Sequence, residues 1–256
     1  MTPVRALLFD AGNTRLKWGY LSAGRISKTG SVSHAKLHEK GYAVLTTRLP
    51  REVSHAVASN VAGPGFAAKL ASVIGLHCGA EMHFAHCEKF AGGVTAGYRQ
   101  PRRMGIDRWM AMIVAWNEFR CALCIVDAGT AMTIDMLDNT GQHLGGQIIP
   151  GIRMMEDSLR RKTSDIAPAR PVKRNPGDKL AGFGKNTDEA IVNGSMNAAC
   201  GAIERAAKQA RRAGMRPKII LTGGDASRIL KQLNDKPILR PNLVLDGLAV
   251  MLPSQT

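Results

Sequence analysis

One three-strand pattern occurs twice in the 256-residue sequence, and a little over one hundred residues separate the copies. The first copy begins with the apolar run ALLFD (6–10), which predicts a buried strand that ends in an acid. The alternating segment TRLKWGYL, the turn-like SAGR and the segment ISKTGSVS follow directly. Alternating runs separated by Gly and Ser are typical of antiparallel strands, so this region predicts a three-strand meander.

The second copy repeats the same order of elements from residue 121 to residue 151. CALCIVDAG predicts a buried strand, TAMTIDML alternates, DNTGQH predicts a turn and LGGQIIPG predicts the third strand. The first strand of each copy ends in D-A-G, and Ala-rich sequence of helical character follows each meander. A repeated unit of this kind predicts a duplicated α/β protein. We expect an N-terminal domain of residues 1–120 and a C-terminal domain of residues 121–256.

Further helices and loops are predicted outside the two meanders. GIDRWMAMIVAWNEF predicts a helix that is apolar on nearly every side from Trp109 to Trp116, so we expect it to be buried inside the protein or at a subunit contact. Ser164–Thr187 predicts a long loop, and Thr187 is the predicted N-cap of the helix after it. PKIILTGGDASRIL predicts a strand, a Gly-Gly turn and a helix, and LVLDGLAVML predicts a final short strand or helix.

The composition favours a soluble cytoplasmic protein. No apolar stretch approaches the ~20 residues of a membrane span, and the first apolar run ends in Asp10, unlike a signal peptide. Five cysteines, an odd number in a chain of this length, favour reduced thiols. The net charge of +15 fits nucleic acid, an anionic small molecule or solubility alone. The basic clusters, at Arg160–Lys162, Arg170–Arg174 and Lys208–Lys218, hold few aromatic residues for stacking on bases, so neither nucleic acid nor a membrane is an expected partner.

The D-A-G-N-T turn of the first copy and the D-A-G-T turn of the second share a chemical interpretation that the duplication strengthens. An Asp at a strand end offers a carboxylate to a hard cation, usually through water. The Gly permits close approach of the backbone to a phosphate, and the Thr hydroxyl and neighbouring N–H groups donate to phosphate oxygens. A single such phrase is common hairpin chemistry. Two of them, at Asp10–Thr14 and Asp127–Thr130, predict two hairpins that hold one polyphosphate and its metal.

This arrangement resembles the superfamily that contains acetate and sugar kinases, heat-shock ATPases and actin. The resemblance implies two duplicated ribonuclease-H-like domains with a nucleotide cleft between them. It also implies that the Gly-Gly turn of LTGG, Leu221–Gly224, contacts the adenosine.

Within the superfamily, the chain resembles the type III pantothenate kinases over nearly its full length. The motifs that carry this resemblance are FDAGNTRLKW, AGYRQPRRMGIDRW, VDAGTAMTID, GGQIIPG and GKNTDEAIVNG, in that order. The resemblance implies an ATP-dependent kinase that phosphorylates the primary hydroxyl of pantothenate. It further implies ATP with Mg²⁺ or another divalent ion, a monovalent cation (K⁺ or NH₄⁺), and a homodimer.

The resemblance also implies a role for each matching residue. Asp107 corresponds to the catalytic base, Asp127 to the monovalent-cation position and Thr130 to the second phosphate contact. Thr187 corresponds to a substrate contact near the dimer interface. The ATP-binding segment corresponds to Asp10, Ala11, Gly12, Asn13, Thr14, Arg15, Leu16 and Lys17. The pantothenate-binding positions correspond to Tyr98, Gly105, Ile106, Asp107 and Arg108, and Arg108 suits the pantothenate carboxylate.

Simpler interpretations stand beside these roles. Asp107 also fits a first-turn helix acid, and Arg108 a solvated helix residue. The spacing of His77, Cys78, His83, His86 and Cys87 matches no closed zinc site, and we expect these residues to pack in the core or lie at the surface. Cys121 and Cys124 are expected on opposite faces of a strand as packing residues.

Alternative functions are a kinase of the same superfamily with another substrate and a non-catalytic regulatory accessory factor. Tyr98 and the G-I-D-R segment favour pantothenate over another substrate. A binding module would not need Asp10, Asp107 and Asp127 together, which favours an enzyme.

Overall fold

The computed structural model describes residues 4–162 and 182–252. The strands are β1 (Arg5–Ala11), β2 (Arg15–Ser22), β3 (Arg25–Ser33), β4 (His55–Asn60), β5 (Met82–Phe84), β6 (Phe90–Ala91), β7 (Val94–Thr95), β8 (Leu123–Ala128), β9 (Ala131–Leu137), β10 (His143–Pro150), β11 (Lys218–Thr222) and β12 (Ile238–Leu239). The helices are α1 (His34–Lys40), α2 (Ala43–Thr46), α3 (Pro64–Cys78), α4 (Ile106–Phe119), α5 (Ile152–Lys162), α6 (Thr187–Arg212), α7 (Ala226–Leu230) and α8 (Leu243–Met251), with a 3-10 turn at Pro101–Arg103. Most of the predicted loop Ser164–Thr187, and the basic cluster Arg170–Arg174, lie outside the described residues.

The first meander supplies three strands of a five-stranded sheet with the strand order β3-β2-β1-β4-β5. β1 pairs with β2 antiparallel, with Asp10 opposite Lys17, and with β4 parallel. Because β1 is central and is covered on both faces, every residue from Ala6 to Ala11 is buried. β2 lies closer to the edge and alternates between buried and half-buried residues. The meander predicted from residues 6–33 is therefore confirmed.

The second meander builds a sheet with the same topology, in the order β10-β9-β8-β11-β12. β8 takes the place of β1: it pairs antiparallel with β9 and parallel with β11. The position of each antiparallel and parallel neighbour is thus repeated between the two sheets. This repeat confirms the prediction of a duplicated α/β fold.

The chain divides into two compact units. The described residues of Met1–Arg120, Gly141–His143 and Asn242–Thr256 form the first unit, and those of Cys121–Thr140 and Leu144–Pro241 form the second. The core of the first unit lies around β1, β4 and α3, and that of the second around β8, β11 and α6. The last helix, α8, therefore belongs with the N-terminal meander although it ends the described chain.

Helix α4 is buried within its own unit. It packs on α8, β4 and β7, and Trp109 is wholly buried. At Gly247 of α8 an added Cβ would lie 2.3 Å from the Met110 carbonyl oxygen, so the two helices touch backbone to backbone. Of the two expectations for this helix, burial inside the protein is therefore confirmed. The apolar residues of α4 are covered by their own unit and give no support to a subunit contact.

Further observations bear on the remaining predictions from the sequence. The final segment is a helix, α8, and the Gly-Gly turn follows β11 and precedes α7 as predicted. Cys121 precedes β8 rather than lying on it, and all five cysteines are free thiols. None of the described helices is both long and apolar enough to cross a membrane.

Candidate active site

The first D-A-G turn joins β1 to β2 in the first unit. The Gly12 N–H donates to the Arg15 carbonyl across the turn (3.1 Å), and a Cβ at Gly12 would already touch that carbonyl at 3.4 Å. The tip residues Asn13, Thr14 and Arg15 are exposed, so polar side chains and backbone N–H groups surround the turn. A tip of this composition can donate several hydrogen bonds to an anion.

The strands that carry this tip hold one carboxylate and one ammonium side by side. Asp10 is only 8% exposed, and its Oδ2 lies 3.9 Å from the Lys17 Nζ. The carboxylate is therefore fixed at the strand end, where a hydrated divalent cation can be held. The neighbours Ala11 and Leu16 are fully buried in the core, so their side chains are unavailable to a ligand and only their backbone can contribute.

The second D-A-G turn joins β8 to β9 in the second unit and is one residue tighter. Here the Gly129 N–H donates to the Ala131 carbonyl (3.1 Å), because this copy has no counterpart of Asn13. Thr130 is exposed at the tip, and its carbonyl accepts from the Gly151 N–H (2.9 Å). A Cβ at Gly151 would lie 2.2 Å from the Gly129 carbonyl oxygen, so the turn after β10 packs directly on this tip.

The Gly-Gly turn of the second unit lies against Asp127. Thr222 pairs with Asp127 in the parallel register of β11 and β8, and the next residue, Gly223, has a φ of +94°. A Cβ at Gly223 would lie 2.5 Å from Asp127 Oδ1 and 2.6 Å from the Ala128 carbonyl oxygen. Only glycine fits there, for both its conformation and its contacts. The structure therefore brings the predicted cation residue and the predicted adenosine turn together.

Asp127 and Ala128 place a carboxylate and a carbonyl group against the Gly-Gly turn, since both lie in contact with Gly223. Oxygen atoms of these two kinds are the ligands that hard cations take. In the described ranges, no three His, Cys, Asp or Glu side chains form a group that could hold a metal. The two residues can therefore contribute oxygen ligands to a cation, and Asp10 can contribute a carboxylate at the first turn.

The start of α4 holds the predicted base. Gly105 is the N-cap of α4, and a Cβ there would lie 2.5 Å from Asp107 Oδ1. That same oxygen accepts a hydrogen bond from the Arg108 backbone N–H (2.8 Å). Asp107 is half-buried and lies in the first helical turn, where the helix dipole favours a negative charge. The carboxylate therefore has a fixed orientation at the end of the helix.

Arg108 is buried rather than solvated. It is 6% exposed, its NH1 donates to the Tyr98 hydroxyl (2.8 Å), and its Cζ lies 5.3 Å from the Tyr98 ring centroid. The interpretation of Arg108 as a solvated helix residue is wrong. The structure places Tyr98, Gly105, Asp107 and Arg108 together in the first unit. Ile106 is buried there too, so only its backbone is available to a ligand.

Cys87 lies next to this site, and the charges of Asp107 and Arg108 affect the pKa of its thiol. Its Sγ lies 3.2 Å from the Met104 carbonyl oxygen, to which the thiol donates. Burial, followed by the negative charge of Asp107, raises the pKa of the Cys87 thiol to about 12, and Arg108 opposes the rise. Cys87 is therefore a neutral packing group at physiological pH. His77 and Cys78 lie on α3 and His83 lies on β5, and the His77 Nε2 is 3.3 Å from the Leu49 carbonyl oxygen.

Thr187 begins α6 in the second unit and is exposed. The predicted N-cap is wrong by one residue, because the Asn186 side chain accepts from the Glu189 N–H (2.9 Å) and caps the helix. The Glu189 side chain in turn accepts from the Lys185 N–H (2.8 Å). An ion pair of 2.9 Å between Arg160 and Asp188 ties α5 to the same helix end.

One residue of the first unit was absent from the sequence-based predictions. His143 is only 1% exposed, and its ring stacks on Tyr98 with 5.8 Å between the ring centroids. In the sequence it ends the predicted turn DNTGQH, and nothing in that pattern indicates burial against a segment more than 40 residues earlier.

Comparison with known proteins finds relatives over nearly the whole chain. A family model described as type III pantothenate kinase matches residues 6–209. The type III pantothenate kinase of Aromatoleum aromaticum is 38% identical over 247 residues, which cover 96% of either chain. That of Nitrosococcus oceani is 34% identical over 249 residues, which cover 95% of this chain and 92% of the relative.

Two solved structures share the fold at lower sequence identity. A Campylobacter jejuni protein assigned to the Baf family of transcriptional activators has a TM-score of 0.59, with 21% identity and 94% of either chain covered. A Sinorhizobium meliloti protein assigned as a 2-dehydro-3-deoxygalactonokinase has a TM-score of 0.61, with 13% identity and 98% of either chain covered. At these identities the two structures support the duplicated fold alone.

Proposed function

The chain belongs to the type III pantothenate kinase family, and from this premise we propose that it transfers the γ-phosphate of ATP to the primary hydroxyl of pantothenate. The product is 4′-phosphopantothenate, and the reaction is the first step of coenzyme A synthesis. The observation that carries the proposal is the group at the start of α4. There an oriented carboxylate, Asp107, adjoins a buried guanidinium, Arg108, which is hydrogen-bonded to Tyr98.

The acceptor site follows from the chemistry of these three side chains. Pantothenate carries a carboxylate at one end and a primary hydroxyl at the other. A planar guanidinium pairs with a carboxylate through two parallel hydrogen bonds, and Arg108 is held for this by the Tyr98 hydroxyl (2.8 Å). In this proposal Arg108 and Tyr98 bind the carboxylate end, and Asp107 faces the hydroxyl.

Asp107 acts mainly by orienting the acceptor. Phosphoryl transfer has a loose transition state, so positioning and charge neutralisation supply most of the rate enhancement. A carboxylate is too weak a base to ionise an alcohol beforehand. The hydroxyl therefore stays protonated until its oxygen bonds to phosphorus and ADP departs, and Asp107 then accepts the proton. The hydrogen bond from the Arg108 N–H keeps one carboxylate oxygen fixed during this step.

The two D-A-G turns supply the ATP contacts in this proposal. Gly12 and Gly129 leave the backbone at each tip open to phosphate oxygens, and the exposed Thr14 and Thr130 add hydroxyl donors. Asp10 holds the hydrated divalent ion, which neutralises the phosphate charge when bound. Asp127 would hold the monovalent cation beside the Gly-Gly turn, because its carboxylate lies against Gly223.

We also propose a cytoplasmic homodimer. All five cysteines are free thiols, which suits a reducing compartment. The case for the dimer now depends on Thr187 and the family resemblance, because α4 is covered within its own unit. Thr187 is exposed and is not the capping residue of α6, so its hydroxyl can serve a substrate close to a subunit contact.

The test is an assay of Asp107→Asn against a matched control. Asparagine keeps the volume and the oxygen that accepts from Arg108, but it cannot take the proton. We expect kcat for pantothenate, with ATP, Mg²⁺ and K⁺ present, to fall by at least about 10²-fold, within the usual range for a general base. The melting temperature should stay near that of the wild type.

Asp246→Asn is the matched control, because Asp246 is also a half-buried first-turn helix acid of the first unit. We expect its kcat to remain within about twofold of wild type. Near-normal turnover by Asp107→Asn would overturn the role of Asp107. A wild-type protein that transfers no phosphate to pantothenate would overturn the proposed function itself.

A further inference from the structure

A three-residue segment of the second meander lies in the first unit, beside the strand that leads to Tyr98. Gly141–His143 belongs to the first unit, although the residues on either side belong to the second. The Thr95 N–H donates to the Gly141 carbonyl (3.0 Å), and the Gln142 side-chain amide donates to the Thr95 carbonyl (3.4 Å) as well as to the neighbouring His143 carbonyl (2.9 Å). These bonds hold the backbone of His143 against residues 95–98.

Gly97 brings the segment that leads to Tyr98 into direct contact with His143. A Cβ at Gly97 would lie 2.0 Å from the His143 carbonyl oxygen, closer than any side chain permits. The Gly97 N–H donates to His143 Nδ1 (3.4 Å), so the ring as well as the backbone of His143 contacts this residue. The residue immediately before Tyr98 is therefore seated on His143 by both backbone and ring.

The contacts continue from His143 through Tyr98 to Arg108. The His143 and Tyr98 rings lie 5.8 Å apart at an interplanar angle of 22°, a stacked arrangement. Tyr98 in turn accepts a hydrogen bond from Arg108 NH1 at 2.8 Å and lies under its guanidinium.

We propose that His143 is a positioning residue for the carboxylate end of pantothenate, and this inference rests on the proposed function. His143 touches no reacting group. Its ring face fixes the Tyr98 ring, and the Tyr98 hydroxyl then fixes the Arg108 guanidinium in the orientation that pairs with a carboxylate.

The physical reason is the flexibility of arginine. A long side chain loses rotamer entropy when it is immobilised, and this loss weakens ligand binding unless the side chain is already ordered in the free protein. Burial leaves Arg108 few orientations, and the Tyr98 hydroxyl selects one of them. Tyr98 is itself only half-buried, so a rigid surface behind its ring is needed, and the fully buried His143 provides it.

The first experiment replaces the ring of His143. His143→Leu removes the stacked face, and we expect KM for pantothenate to rise about two- to tenfold, the worth of a stacked aromatic pair. KM for ATP and kcat should change by less than about twofold. His143→Phe restores a stacking face of similar size, and we expect it to recover most of the pantothenate KM. Equal KM changes for both substrates, or a Phe variant as impaired as the Leu variant, would overturn the proposal.

Phe66→Leu is the matched control for general loss of packing. Phe66 stacks on His34 in the same unit, with 4.4 Å between the ring centroids, and lies on α3. Its removal costs a comparable aromatic pair, so we expect a similar drop in melting temperature and an unchanged KM for pantothenate. A pantothenate KM raised as much as in His143→Leu would show that the effect is unspecific.

A double-mutant cycle tests whether His143 acts through Tyr98. If it does, His143→Leu adds no further rise in pantothenate KM once Tyr98→Leu is present. Effects that multiply in the double variant would overturn the proposal. Assays of the wild type and the His143 variants together distinguish failure of the positioning role from failure of the proposed function. Pantothenate turnover that is indifferent to His143 refutes the positioning role alone, whereas absent turnover refutes the proposed function.

Discussion

Gly105→Ala displaces the Asp107 carboxylate without removing it. The N-cap backbone has φ −58° and ψ 129°, which alanine adopts without strain. The new Cβ would lie 2.5 Å from Asp107 Oδ1, whereas ordinary contacts begin near 3.4 Å. The carboxylate must therefore withdraw by about 0.9 Å, and its 2.8 Å bond from the Arg108 N–H is lost or lengthened.

We expect Gly105→Ala to lower kcat and to leave the free energy of unfolding nearly unchanged. A displacement of about 1 Å at a reacting group costs on the order of 10²-fold in rate, so kcat for pantothenate should fall by roughly that factor. An N-cap change from glycine to alanine shifts the free energy of unfolding by less than about 1 kcal/mol. The melting temperature of Gly105→Ala should therefore stay within a few degrees of wild type.

Steady-state kinetics with pantothenate and ATP, together with thermal melts, measure both quantities. Gly75→Ala is the control, because Gly75 lies within α3 of the same unit and an added Cβ there meets nothing within 4 Å. Gly105→Ala in the Asp107→Asn background should lose no further activity, since the displaced group is already disabled. A Gly105→Ala enzyme with normal kcat would refute the reasoning.

Two further predictions concern the cation and the subunits. Asp127→Ala should weaken the response of turnover to K⁺ or NH₄⁺ while the fold is retained, as followed by activity across a cation titration; an unaltered cation requirement would show that the site lies elsewhere. The wild-type protein should sediment as a homodimer at micromolar concentration, and a monomer in that experiment would contradict the proposed assembly.

The strands of the two meanders could be predicted because their signal is local and occurs twice, whereas β4, β5 and β12 were not predicted. Alternation in β2 and β9 and the continuous apolar runs of β1 and β8 follow directly from which faces each strand buries. The D-A-G turns follow from the requirement for glycine where the chain reverses. The order of the parallel strands could not be read this way, because it depends on pairing between distant segments.

Contacts across long sequence separations account for what the sequence did not reveal. The burial of α4 by α8 joins segments more than 120 residues apart, so the apolar helix was equally compatible with a subunit contact. Arg108 looked like a surface residue because its partner, Tyr98, lies outside the helix. His143 gave no local sign of its role. The one-residue error at Thr187 arose because Asn and Thr both cap helices well.

The return of α8 to the first unit has a consequence for biosynthesis. A nascent chain that has emerged only as far as residue 241 already holds every strand of both sheets, yet it lacks the helix that packs on α4. The fold of the first unit therefore begins with its N-terminal strands and is completed only when α8 has emerged from the ribosome. Until then an apolar flank of α4 stays uncovered, and it is a surface on which a chaperone could act.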